Sequence, residues 1–249
     1  MKTLPILLIS LYFIFSNCFP QNFIARQKRY ERVRTAIAEK DSLLQSRFTS
    51  KALEYPPNKI LLRCFKQEKI VELWSFSSAE KKFVRVYMFP ICASSGKLGP
   101  KRQQGDLQVP EGFYHIDRFN PVSQFYLSLG INYPNASDRI LGVKGHLGGD
   151  IFIHGDCVTI GCIPITNALI KEVYWAAVQA KANGQRNIPV HIFPTRLDET
   201  NFTALKLKHP DKPELLVFWK NLKQGFDYFE RHHTLPIVRV DKQGTYLFD

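Results

Sequence analysis

The 249-residue chain has no internal repeat and no low-complexity tract, which sets aside solenoids, arrays and disordered spacers. Its five cysteines include no CxxC pair, and the two nearest one another, Cys157 and Cys162, are separated by four residues; zinc-ribbon and thioredoxin-like spacings are thereby excluded. Positive charge is plentiful, with a net +12 and a pI near 9.5, yet Lys59, Arg63, Lys81, Lys82, Lys97, Lys101, Arg102, Lys206 and Lys208 are scattered rather than gathered in one block. Without a basic block or zinc-finger spacing, no nucleic-acid partner is expected, and anionic envelope polymers or lipid headgroups are the surfaces left to attract the chain. The N-terminal apolar run, Leu4 to Phe15, is twelve residues and falls short of the ~20 that span a bilayer. Lys2 before it and Ser16-Asn17 after it complete the layout of a signal peptide over residues 1–20, so an exported protein of the periplasm or cell envelope is expected. Cys18 resembles the lipid-modified cysteine of bacterial lipoproteins, which leaves a lipid anchor and outer-membrane association open, although Phe15 and Asn17 depart from that pattern.

A hydrophobic content of 45%, with 14 Gly and 15 Pro dispersed, belongs to a globular chain able to bury a core. Residues 21–57 are charged and place Val33, Ile37, Leu44 and Phe48 on one helical face, predicting one N-terminal helix ended by Pro56-Pro57. From Lys59 the texture changes to short runs rich in Val, Ile, Phe and Tyr (59–65, 70–76 and 83–89), which read as hairpin strands. A helix is expected over 167–181, a strand over 190–193, and a further helix over 213–231, where Leu215, Phe218, Trp219, Leu222, Phe226 and Phe229 form a stripe suited to core packing. Two short strands around Gln243-Gly244 close the chain. The organisation read from this is a domain over 58–195 with an α/β extension, 196–249, packed on it.

The segment Ile151-Phe152-Ile153-His154-Gly155 delivers an imidazole at the end of a buried strand, and seven residues separate His154 from the cysteine of Thr159-Ile160-Gly161-Cys162. Only a few per cent of a free thiol is thiolate at pH 7, so a neighbouring imidazole that takes its proton makes cysteine a usable nucleophile. Backbone N–H groups near Gly161 and Cys162 suit an oxyanion, and Gly161 lets a substrate approach without a Cβ in the way. Of the remaining cysteines, Cys64 and Cys92 are open to a disulfide, while Asp156 and Cys157 read as loop-forming. His146, in Gly145-His-Leu-Gly-Gly149, reads as a loop residue or substrate contact, and His232-His233 as surface.

His-Gly followed by Thr-x-Gly-Cys resembles the signature of the L,D-transpeptidase catalytic domain, the YkuD-type fold, and Gly-Cys-Ile-Pro-Ile after a short loop is similar to its YafK-like branch. Ser94–Lys101, Gly105–Tyr114 and Tyr133–Arg139 are similar to other stretches of that branch, and together the likeness covers roughly residues 58–195. The resemblance implies an α+β fold, a mainly β catalytic domain with flanking helices, acting on peptidoglycan stem peptides without metal or cofactor. It implies that Cys162 is the nucleophile and His154 the general base, framed by Gly155, Thr159 and Gly161, with His146, Tyr133, Asn135 and Ser95 as substrate contacts. In the family, cysteine attacks the carbonyl of the third stem residue, the terminal D-alanine leaves, and an amine resolves the thioester to a cross-link. Pro164 stands where many members carry arginine, and Ile160 where many carry a second histidine.

Two other readings compete. A hydrolase using the same thioester would cut stem peptides or release a wall-linked protein. A non-catalytic zinc or wall-binding module would draw on His146, His154, Asp156, Cys157 and Cys162, whose ligand types suit zinc although their spacings are not standard.

Overall fold

The computed structural model describes residues 19–249; the N-terminal apolar run and Cys18 lie outside the described residues. The chain runs through α1 (Phe19–Lys28), α2 (Glu31–Thr49), β1 (Ile60–Phe65), β2 (Ile70–Ser77), β3 (Lys82–Pro90), β4 (Gly112–Asn120), β5 (Ser128–Ile131), α3 (Ala136–Leu141), β6 (Phe152–His154), β7 (Ile163–Pro164), α4 (Asn167–Ala182), β8 (Ile188–Phe193), α5 (Glu199–Lys208), α6 (Pro213–His232), β9 (Val238–Val240) and β10 (Tyr246–Phe248). The first eight strands form one curled mixed sheet in the order β3-β2-β1-β8-β4-β5-β6-β7, while β9 and β10 pair as a hairpin. The fold is α+β, as the family resemblance implies.

Both faces of the sheet centre are covered, which is why β1 and β8 read as nearly unbroken apolar runs. Strand alternation sends Leu62, Cys64, Val190, Ile192, Tyr114 and Ile116 into a core shared with α2 and α4. It sends Phe65, Phe113 and Phe193 the other way, against Trp219, Leu222 and Phe226 of α6 and Tyr246 of β10. On the first face, α4 buries Glu172, and α2 neutralises it with Lys40 at 3.1 Å and with Arg47. A buried carboxylate left single costs several kcal/mol, so this pairing ties α2 to α4.

The N-terminal region is two helices rather than one. The break falls at Arg29-Tyr30, where the Arg34 guanidinium donates to the Lys28 and Arg29 carbonyls, at 3.1 and 2.7 Å, and satisfies acceptors that the end of α1 leaves open. The second helix also stops at Thr49, well before the prolines, because the Leu53 N–H turns back to the Phe48 carbonyl with Ala52 at φ 54°. Helices α3 and α5 lie in stretches that carried no helical expectation.

Candidate active site

Strands β6 and β7 pair in parallel at one edge of the sheet, with Ile153 opposite Ile163 and His154 opposite Pro164. Cys162 stands two positions before the partner of His154. Cys162 lies in the turn just before β7, so the pairing of the two strands brings that turn to the strand that ends at His154. The His154 imidazole is buried, stacked on Phe125 at 4.6 Å between centroids, and its Nδ1 meets the carbonyl oxygen of Gly155. A carbonyl only accepts, so Nδ1 carries the hydrogen and Nε2 is the free lone pair. Burial lowers the pKa of His154 below 6.5, against the raising effect of the Gly155 carbonyl, and the neutral, basic form prevails at pH 7.

The Cys162 thiol is free. In the resting arrangement its Sγ donates to the Asp150 carbonyl at 3.6 Å, and among the described residues no hydrogen bond joins it to the imidazole. Burial raises its pKa above the ordinary 9.0, partly opposed by the Phe152 N–H and by Lys101, so the resting sulfur is a protonated thiol. It lies where two cavities meet. One, about 260 Å³, runs under the Ser94–Leu98 loop past Ser95, Cys64 and Ile163; the other, about 300 Å³, is walled by Gly148, Gly149, Leu107 and Ile160.

The loop between histidine and cysteine is held at several points. Cys157 forms a disulfide with Cys92, just past the end of β3, and the Asp156 N–H donates to Asn167 Oδ1 at 2.8 Å. Thr159 braces the turn from inside: its hydroxyl accepts from the Gly161 N–H at 3.1 Å and donates to the Cys162 carbonyl at 2.8 Å. Gly161 takes φ +138°, and a Cβ there would sit 3.1 Å from the Gln108 carbonyl. Thr159 is therefore a brace, and the Gly161 N–H it engages is not free for an oxyanion.

The structure redistributes the other expected residues. Cys92 pairs with Cys157, not Cys64, which is buried in β1 with its thiol pushed up to about 12. Asn135 is not a substrate contact: it caps α3 in a capping box with Asp138, and its amide is spent on the Phe113 carbonyl and the Tyr246 hydroxyl. Tyr133 is buried too, its hydroxyl donating to the Leu147 carbonyl at 3.1 Å, so it supports the 142–150 strap from behind. The Asn-x-x-Asp spacing of 135–138 is a capping signal that identifies the first of these roles. His146 lies on that exposed strap and lines neither cavity, whereas Ser95 lines the smaller one. Cys157 is consumed in a disulfide, and no group of three or more His, Cys, Asp or Glu converges among the described residues, so the five candidate zinc ligands are not brought together.

Two features were absent from the sequence reading. Glu111, fully buried beside the smaller cavity, accepts from Lys66 Nζ at 2.9 Å, the Gly99 N–H at 2.7 Å and Trp219 Nε1 at 2.7 Å. Asp150, whose carbonyl holds the thiol, takes φ 56° and pairs with Arg118 at 2.6 Å.

The strand that ends at His154 thus pairs with the strand that follows a free thiol in a Thr-x-Gly-Cys turn, the arrangement of residues that the YkuD resemblance turns on. Residues 73–192 match the YkuD family, the L,D-transpeptidase catalytic domain, and the chain belongs to that family. Over 183 residues it is 37% identical to "Putative L,D-transpeptidase YafK" of Escherichia coli K12, covering 73% of this chain and 70% of the relative. Among solved structures it is similar to the helical cell shape determining protein Pgp2 of Campylobacter jejuni, at 19% identity and a TM-score of 0.45 over 76% of this chain and 74% of the other. A further likeness is to Bd1075 of Bdellovibrio bacteriovorus, at 17% identity and a TM-score of 0.40 over 72% of each chain.

Proposed function

We infer that this protein is an exported cysteine acyltransferase of peptidoglycan, an L,D-transpeptidase that works through a thioester on Cys162. The observation that carries the reading is the His154 tautomer: Nδ1–H is committed to the Gly155 carbonyl, and Nε2 is left as a neutral base one strand away from a free thiol. His154 takes the thiol proton as sulfur attacks the carbonyl preceding a terminal D-alanine, the Cys162 N–H supports the oxyanion, and the proton passes to the leaving amine. An acceptor amine then attacks the thioester and releases the sulfur. Two cavities meeting at one sulfur suit a reaction that must seat both a donor and an acceptor peptide.

Export is supported by the N-terminal apolar run and by the Cys92–Cys157 disulfide, a bond that persists in oxidising compartments. The net charge of +12 favours residence on an anionic wall. Incubation with defined tetrapeptide muropeptides, read by mass spectrometry, is expected to give free D-alanine, cross-linked dimers and an acyl adduct on Cys162. Cys162→Ala should abolish all three, and His154→Ala should slow turnover by about 10²–10⁴-fold. Turnover that survives in Cys162→Ala overturns the assignment; monomeric products without dimers make the enzyme a hydrolase on the same thioester route.

A further inference from the structure

The donor peptide of the proposed reaction ends in a carboxylate, and a carboxylate in a partly buried site needs a cation or hydrogen-bond donors to receive it. Three lysines border the two cavities at Cys162. Lys66 is spent: its three N–H groups go to the Gly99 carbonyl, the Val109 carbonyl and Glu111, at 2.8, 2.9 and 2.9 Å. Lys101 is buried and bound to Asp106 at 2.6 Å and the Gln103 carbonyl at 2.8 Å. Lys97 is exposed, and no carboxylate among the described residues pairs with it.

Two residues before Lys97, the Ser95 hydroxyl oxygen is buried and has no hydrogen-bond partner among the described residues, although it borders the 260 Å³ cavity that reaches Cys162. An unpartnered buried hydroxyl costs about 1–3 kcal/mol, so the Ser95 oxygen is open to an atom that enters the cavity it shares with Cys162. The loop bearing both groups is rigid. The Lys97 N–H donates to Gln108 Oε1 at 2.7 Å, and Gly96, at φ +68°, lies so near that a Cβ would approach the same oxygen to 2.3 Å. The Gly99 N–H is fixed to buried Glu111. Beside Ser94 and the spent Lys66, the remaining wall is apolar, with Ile91, Ala93, Leu98, Val109 and Ile163.

We propose that Ser95 and Lys97 form the carboxylate-binding element of this site, and that the cavity they share with Cys162 takes the C-terminal residue of the donor peptide, one with a free carboxylate and a small apolar side chain. This deepens the transpeptidase reading and rests on it. The Ser95 hydroxyl donates one hydrogen bond to the carboxylate, the Lys97 ammonium supplies the charge, and the rigid loop sets their distance from the sulfur.

The test uses the full chain and two peptides that differ only at the end, a muropeptide tetrapeptide with a free D-alanine carboxylate and its carboxamide. Binding is measured calorimetrically on Cys162→Ala, which cannot turn over, and kinetics on the intact enzyme. The acid should bind at least about tenfold tighter than the amide, the discrimination expected of a charge-assisted hydrogen bond. Lys97→Met should erase that preference and raise KM for the acid about tenfold with kcat nearly unchanged, Lys97→Arg should restore it, and Ser95→Ala should weaken it in the same sense. A preference that survives in Lys97→Met, or equal binding of acid and amide to Cys162→Ala, overturns the proposal. Acid-selective binding without turnover by the intact enzyme would instead defeat the transpeptidase chemistry and leave the pocket standing; turnover without selectivity would do the reverse.

Discussion

The two segments that flank the Cys162 sulfur are built in opposite ways. The 155–162 loop is fixed by a disulfide, by Asn167 and by the internal brace of Thr159, and Gly155 is so enclosed that a Cβ would fall 2.8 Å from the Phe125 carbonyl. The 142–150 strap is pinned at its start, where the Gly142 N–H donates to the Asp138 carbonyl, and beyond that is attached by the Val143, Gln104 and Tyr133 hydrogen bonds and one exposed ion pair; a Cβ on Gly145 or Gly149 would meet nothing within 4 Å. Yet the resting thiol donates to the strap, at the Asp150 carbonyl, and not to the imidazole that the fixed side presents. The imidazole is thus held on the fixed side, and the protonated thiol rests against the more open strap.

The largest expected effect concerns that stored thiol. Burial raises the Cys162 pKa, so the thiol is protonated at neutral pH, and iodoacetamide should alkylate it far more slowly at pH 7 than on the alkaline plateau, with the inflection on the alkaline side of an ordinary thiol's. An inflection near pH 6 would mean that sulfur and imidazole form an ion pair at rest, and the contrast between the two segments would lose its point. For kcat/KM the sign is set by His154: its base form is required, burial favours that form, and the acid limb should therefore lie below 6.5. On the fixed side, Cys92→Ser opens the Cys92–Cys157 link across 65 residues and should cost about 2–4 kcal/mol of unfolding free energy, read by denaturant titration and matched by adding reductant to the parent. Gly155→Ala should cost about 1–3 kcal/mol, since the methyl must displace backbone. On the yielding side, Arg118→Met breaks a solvent-exposed pair and should cost under about 1 kcal/mol. Gly149→Ala, with open space and no left-handed φ to oppose it, should be neutral or stabilise by about 0.4–1 kcal/mol. Equal losses from Gly155→Ala and Gly149→Ala would break the comparison.

Much of the architecture is legible in local pattern. The apolar stripe of α6, the strand runs of β1 to β3 and the abrupt end of β6 at His154 each depend on near neighbours in the chain, and periodicity carries that information. The partner of Cys157 is different in kind: it lies 65 residues away, and only the closure of β3 against the β6–β7 edge brings Cys92 to it. The break between α1 and α2 likewise depends on one arginine reaching back to two carbonyls, which no helical face records. Asn135 and Tyr133 teach a further lesson, because similarity of a stretch to a family marks it as shared without saying whether its side chains face a ligand or hold a loop together. The resting orientation of Cys162 was out of reach for the same physical reason, since it is decided by the carbonyl of Asp150, in a segment whose glycines leave its path undetermined by local preference.

The buried carboxylate of Glu111 joins parts of the chain that are far apart in order. One oxygen accepts from Lys66 and from the Gly99 N–H of the loop over the smaller cavity, and the other accepts from the indole of α6, so a helix near the C-terminus is tied to that wall through one carboxylate as well as through apolar packing on Leu98. Truncation before Trp219, or a fusion partner that pries α6 away, would leave that carboxylate short of one donor and loosen the loop that roofs the cavity at Cys162.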